Sequence, residues 1–166
     1  MRFEHLIAIN DPNNPLIESM SVTQLWRGLL QFTEQPMLFN DNLDKAIITE
    51  RGEGYLQREL WFGDMQVKER VSFEPSKYLR FDTHASEQHS GGVKTVTIEV
   101  PAEGHLYLRF VYETPLKEAP EGQSGEIGPG ADDAYFAGYV KEAYRSADID
   151  TVRRIRMLFD LGQLGE

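Results

Sequence analysis

The sequence contains no cysteine. Disulfides, thiol nucleophiles and thiolate-held metals are excluded together, and the composition fits a reducing compartment. Positive charge is also scarce: 17 Lys and Arg stand against 27 Asp and Glu, a formal net charge of -10 with a pI near 4.9. A phosphate-binding surface needs clustered basic residues that neutralise phosphates and release counterions. Here they are scattered, so nucleic acid is not an expected partner, and anionic membrane surfaces are disfavoured on the same ground. No uncharged run approaches the roughly 18 apolar residues of a membrane span. The start, Met1-Arg2-Phe3-Glu4-His5, carries an early acid and lacks the apolar run of a secretory leader. Membrane insertion is not expected; a cytoplasmic location is.

Two reaction signatures are missing as well. There is no Gly-x-Ser-x-Gly elbow for a serine hydrolase and no phosphate-cradling Gly-Lys-Ser/Thr loop. Gly125 to Gly130 falls in a loop-like stretch rather than between a strand and a helix. No cofactor is expected, and no metal: His84, Glu87 and His89 cluster near a predicted turn, but their spacing fits no ligand pattern and reads as a surface loop.

What is present is a chain of 166 residues, 40% hydrophobic and 27% charged, sized for a single domain over 1–166 with a real core. Phe3, His5, Ile7 and Ile9 alternate with Arg2, Glu4, Leu6 and Ala8 as the two faces of a first strand, ended by the turn-forming run from Asn10 to Pro15. Leu25, Leu29 and Leu30 recur at helical spacing after Ser21 or Thr23, plausible N-caps, and that helix must stop before Pro36. A second short helical segment is expected toward Phe39.

A meander of strands follows: Ala46 to Thr49, Tyr55 to Phe62, Met65 to Phe73, Tyr78 to Ala85, Val93 to Val100 and His105 to Thr114. The Gly63-Asp64 turn marks a hairpin, and short connections imply antiparallel neighbours. Residues 117–131 lack any periodic apolar pattern and are expected to form a mobile loop. From Asp132 to Phe159, apolar residues at 136, 140, 143, 144, 147, 151, 155 and 158 predict one long amphipathic helix of roughly 40 Å. Asp132 and Asp133 at its start and Arg153, Arg154 and Arg156 near its end suit the macrodipole.

This order predicts an α+β helix-grip fold: a seven-stranded curved antiparallel sheet around a long C-terminal helix, with two short helices after the first strand. It resembles the START-like (SRPBCC) superfamily. Four blocks look like its AtaL-like branch: Phe3-Glu4-His5-Leu6 with Asn10-Asp11, Gln24-Leu25-Trp26-Arg27-Gly28-Leu29, Leu108-Arg109-Phe110-Val111-Tyr112, and Ala143-Tyr144-Arg145-Ser146-Ala147-Asp148. The branch has largely unassigned function. The resemblance implies a cavity between sheet and long helix that accepts hydrophobic or amphipathic molecules.

Strand alternation then nominates the wall. Leu60, Val67, Val71, Phe81, Val96, Ile98, Leu108 and Phe110 face inward by parity, and Tyr112, Tyr139, Ala143, Tyr144 and Ala147 would complete it. Arg58 shares a face with Leu56, Leu60 and Phe62, and Glu69 shares one with Met65, Val67, Val71 and Phe73. The hairpin brings Arg58 and Glu69 together, either as a structural ion pair or as a site where Arg58 holds a ligand oxygen and Glu69 orients it or acts as a base. His5 is a hydrogen-bonded core residue or an acid–base group. Asp148 enters the cavity or turns sideways to an arginine. Three functions stay open: a binder of a small hydrophobic or amphipathic metabolite, a cyclase- or dehydratase-type enzyme on a polyketide-like or aromatic substrate, and a protein-binding adaptor. Oligomeric state is left undetermined.

Overall fold

A computed structural model of the protein describes residues 1–118 and 131–166, with side chains from 134 in the second segment. The loop expectation over 117–131, and the roles given to Asp132 and Asp133, fall largely outside the described residues. Seven strands run β1 (Arg2–Asn10), β2 (Lys45–Gly52), β3 (Tyr55–Phe62), β4 (Met65–Glu74), β5 (Tyr78–Thr83), β6 (Gly92–Glu99) and β7 (Leu106–Glu113). They form one curved antiparallel sheet in the order β1-β7-β6-β5-β4-β3-β2. Helix α1 (Val22–Glu34) and a 3₁₀ turn (Pro36–Leu38) follow β1, and helix α2 (Ala131–Asp160) closes the chain. The predicted helix-grip architecture is what the chain adopts.

The local chemistry explains the boundaries. Ser21 caps α1 through its side chain on the Gln24 amide, while the Gln24 side chain returns to the Ser21 amide as a capping box. Gln35 leaves helical geometry at φ -129 and ψ 62 because Pro36 follows it. Both edge strands carry a register shift, between Ala8 and Asn10 in β1 and between Ile48 and Glu50 in β2. The first shift breaks the alternation, so Ile9 and Asn10 are both buried. Asn10 then exchanges two bonds with the Met20 backbone, Nδ2 to the carbonyl at 2.6 Å and the amide to Oδ1 at 2.9 Å. That exchange ties the loop before α1 to the sheet.

The main core lies on the concave face of the sheet. Leu56, Val71, Leu79, Val96, Leu108 and Phe110 pack against Leu25 and Leu29 of α1 and Ile155 of α2. The stripe that α2 buries is the predicted one at Thr151 and Ile155, with Tyr144 and Leu158 half-buried, but departs from it elsewhere. Phe136, Ala143 and Ala147 are exposed, while Ala137, Asp148, Thr151 and Ile155 are buried. Asp148 takes an inward place that a search for apolar residues passes over in favour of its neighbours Ala143 and Ala147. The arginines near the end also act differently from the expectation, since the last turn holds no basic residue. Arg154 reaches the Leu38 carbonyl and Asp41, and Arg156 reaches the Glu18 and Ile9 carbonyls. They strap neighbouring loops to α2.

α1 and α2 meet at Gly28. A β-carbon there would stand 2.6 Å from Ile155 Cγ2, and a β-branched neighbour has little rotamer freedom to yield. Gly28→Ala is expected to lower stability by about 1–3 kcal/mol, read as a reduced denaturant midpoint, with part recovered by adding Ile155→Ala. An unchanged midpoint would contradict this packing.

Candidate functional site

Two buried charge clusters flank one cavity. The first joins the β3–β4 hairpin to α1. Arg58 and Glu69 are direct cross-strand partners, and Arg58 donates from Nε at 3.0 Å and Nη2 at 2.8 Å to Glu69 Oε1. Its Nη1 donates at 2.9 Å to the carbonyl of Thr33, near the end of α1. A cation at a helix C-terminus meets an orphan carbonyl and the negative end of the macrodipole together. Thr83 of β5 supplies a further donor to Glu69 Oε2 at 2.8 Å. With side chains 6% and 12% exposed, the pair is largely out of water yet still lines the cavity. Hairpin parity brought these two residues together as expected.

The second cluster is built around Asp148 of α2, which is 0% exposed. Three strands send donors to its carboxylate: His5 Nε2 from β1 at 2.7 Å, Lys94 Nζ from β6 at 2.9 Å, and Tyr112 Oη from β7 at 2.7 Å. His5 is held flat between Phe3 and Phe110, with ring centroids 5.3 and 5.2 Å away. Tyr112 stacks on Tyr144 at 3.9 Å and 4°. Burial, then the charge of Asp148, pushes the Tyr112 phenol far above its ordinary range, so its proton stays on the donor side. Tyr144 shifts the same way for the same two reasons. No buried side-chain polar atom among the described residues lacks a hydrogen-bond partner.

Between the clusters lies a cavity of about 250 Å³. Phe32 from α1, Leu43 from the following loop, Leu60 and Phe62 from β3, and Phe81 from β5 supply apolar wall. Lys94, Tyr112, Tyr144, Arg58 and Glu69 supply the polar part, and His89, Gly91 and Thr114 also line it. Among the described residues, no cluster of three or more potential metal ligands occurs. His84 and Glu87 are exposed, and His89 accepts the Gly91 amide through Nδ1 at 2.9 Å.

Of the residues nominated from sequence, Arg58, Leu60, Glu69, Phe81, Tyr112 and Tyr144 line this cavity. Val71, Val96, Leu108 and Phe110 instead sit deeper in the main core, with Ile98 packed against it. Val67 lies behind the wall with Leu43 and Leu60. Asp148 stands behind Lys94 and Tyr112 rather than in the wall. Tyr139, 66% exposed, and the exposed Ala143 are corrections: Tyr139 was nominated for its hydroxyl and Ala143 by apolar spacing, and α2 turns both to solvent. Ala147 is also exposed, at the rim of a second recess that reaches Phe32 and Lys94. Lys94 was missed. The signal existed, since it shares strand parity with Val96 and Ile98, but a lysine on an apolar face is discounted unless its carboxylate is known.

With this geometry in place, comparison with known proteins fixes the family. The model for acetylaranotin biosynthesis cluster protein L, AtaL, matches residues 7–162. The chain belongs to the AtaL family. No curated protein gives a significant sequence match. Among solved structures, the AtaL-family chain is similar to the Zhui aromatase/cyclase from a Streptomyces species, with a TM-score of 0.65, 14% identity, and 95% of this chain and 94% of that one covered. It is similar to the di-domain ARO/CYC StfQ of the steffimycin biosynthetic pathway, with a TM-score of 0.65 and 10% identity. There 94% of this chain covers 49% of that one. A conserved protein from Geobacillus kaustophilus gives a TM-score of 0.59 at 11% identity over 98% and 97% of the two chains. At these identities the likeness establishes the fold.

Two outcomes test the electrostatics. Asp148→Ala leaves three buried donors converging on nothing, and should cost about 3–5 kcal/mol in chemical denaturation; a loss below about 1 kcal/mol would contradict the cluster. Tyr112 supplies a pH signature. An unfolded tyrosine ionises near pH ~10 whereas the folded phenol stays protonated, so its contribution is whole below that pH and falls as pH rises. The stability gap between wild type and Tyr112→Phe should therefore narrow by about 1.4 kcal/mol per pH unit above ~10. A gap constant into alkali would contradict it.

Proposed function

We propose that this AtaL-family protein binds a small hydrophobic or amphipathic molecule in the cavity between sheet and helices. One observation carries the reading: an apolar-walled cavity with two paired charge clusters set on opposite sides. Apolar walls supply non-directional burial, on the order of 25 cal/mol per Å², and a few fixed polar groups orient what is buried. A cavity kept only for packing has no use for charges, which cost free energy to remove from water even when paired. Phe81 forms part of the wall between the clusters, with the Arg58 guanidinium 5.2 Å from its ring centroid and Lys94 Nζ 5.9 Å away. A planar or conjugated ligand suits that surface.

A second reading has its own observation. The series His5–Asp148–Lys94, with Tyr112 on the same carboxylate, connects a buried imidazole to a cavity-lining cation through hydrogen bonds of 2.7 and 2.9 Å. Such a series supports proton transfer to a bound substrate, as a cyclase or dehydratase requires. The aromatase/cyclase names among the similar structures agree with it, though one fold serves many chemistries.

Native mass spectrometry of freshly purified protein, set against its denatured mass, tests the binding reading. The expected result is an adduct that disappears on denaturation, or uptake by the emptied protein from a panel of fatty acids, sterols and aromatic polyketides. A bare mass with no uptake would contradict it. A released compound that differs from the one loaded would favour the enzyme.

A further inference from the structure

The two clusters differ in how their cations are held. Each Arg58 nitrogen has an oxygen acceptor, Nε and Nη2 on Glu69 and Nη1 on the Thr33 carbonyl, which uses three of its five N–H donors. Glu69 in turn is matched by Arg58 and Thr83. On the other side, Tyr112 Oη lies 2.7 Å from both Asp148 oxygens and has a single proton to donate to them. Lys94 is different. An ammonium carries three N–H donors and no acceptor, and among the described residues Asp148 is the one hydrogen-bond acceptor of Lys94.

Four ring faces surround the ammonium: Phe32 at 5.4 Å, Phe110 at 5.5 Å, Tyr112 at 5.3 Å and Phe81 at 5.9 Å. These faces stabilise a cation electrostatically without accepting its N–H bonds as an oxygen does. The Lys94 side chain remains 20% exposed, and it lines both the main cavity and the neighbouring recess. Asp148 accepts from three donors, so Lys94 is fixed in place by one bond and keeps two N–H donors to spare. Glu69, the carboxylate that lines the main cavity, is paired with Arg58 and accepts from Thr83.

We propose that Lys94 anchors an ionised oxygen of the ligand, so that the cavity selects planar molecules bearing a carboxylate, phenolate or enolate over neutral molecules of the same shape. The proposal rests on the ligand-binding reading above and names the ligand class for that site. The oxygen would occupy the free donor side of Nζ, with its ring system against the aromatic wall. Both a charge-assisted hydrogen bond and stacking then act on one small molecule.

The test is isothermal titration of the whole protein with naphthoic acid and with naphthamide, its neutral counterpart of the same shape. Wild type should bind the acid at least about tenfold more tightly, the minimum that a charge-assisted bond in a shielded site supplies. Lys94→Met should lose that preference while keeping its affinity for naphthamide, and Lys94→Arg should keep it. Should K94M fail to fold, the nitrogen resonance of Lys94 Nζ in isotope-labelled wild type gives the same discrimination: it should move on adding the acid and stay nearly still with the amide. Equal binding of acid and amide by wild type, an acid preference that survives in K94M, or an unmoved Nζ resonance would overturn the anchor while leaving the cavity reading intact. Binding of neither compound would overturn both.

Discussion

The carboxylate of Asp148 is the constraint on which the site depends. A charge with no exposure is unfavourable by several kcal/mol unless its lone pairs are filled, and here three donors fill them from β1, β6 and β7. No single strand could do this. The helix must therefore lie where one of its residues meets His5, Lys94 and Tyr112 together, and that requirement sets the rotation of α2 over the sheet. Apolar packing alone would tolerate a slide or a turn of the helix; converging hydrogen bonds would not.

The same carboxylate gives the cavity its character. Lys94 projects from the inner face of β6 into an aromatic surround, a position that strand parity alone would assign to a valine or leucine. Because Asp148 holds it there, the wall gains a cation without a matching demand for solvent. On the opposite side, Arg58 solves two problems at once, pairing Glu69 and closing the end of α1 at the Thr33 carbonyl. The two clusters leave apolar space between them, floored by Phe81. Register shifts on both edge strands add local bend to the sheet, which suits a surface that must wrap a helix and still leave room.

Much of this was legible in the residue order, and the parts that were not share a cause. Alternation in β3 to β7 placed Arg58 beside Glu69 and turned Phe81 and Tyr112 inward, because a half-buried strand with period two tolerates few errors of face. A cap at Ser21 or Thr23 and the stop before Pro36 marked α1 from local chemistry alone, and the structure selects Ser21. Helix α2 was recognised as long and its stripe was right at Thr151 and Ile155, but Phe136, Ala143 and Ala147 were drawn into it wrongly, since its inner face carries Asp148 where an apolar residue was sought. Lys94 escaped for the complementary reason. Each residue is improbable inside a protein by itself, and only their pairing across 54 positions makes both reasonable. One-dimensional patterns register burial of apolar groups; they do not register a charge that has found its partner.

The most direct test of the account is a crystal structure of the protein grown with an aromatic carboxylic acid that fills the cavity. The account predicts the ring system against Phe81 between sheet and helices, with one carboxylate oxygen within hydrogen-bonding distance of Lys94 Nζ and the Asp148 cluster unmoved. A ligand bound outside this cavity, or one inside it with its carboxylate turned away from Lys94, would contradict it.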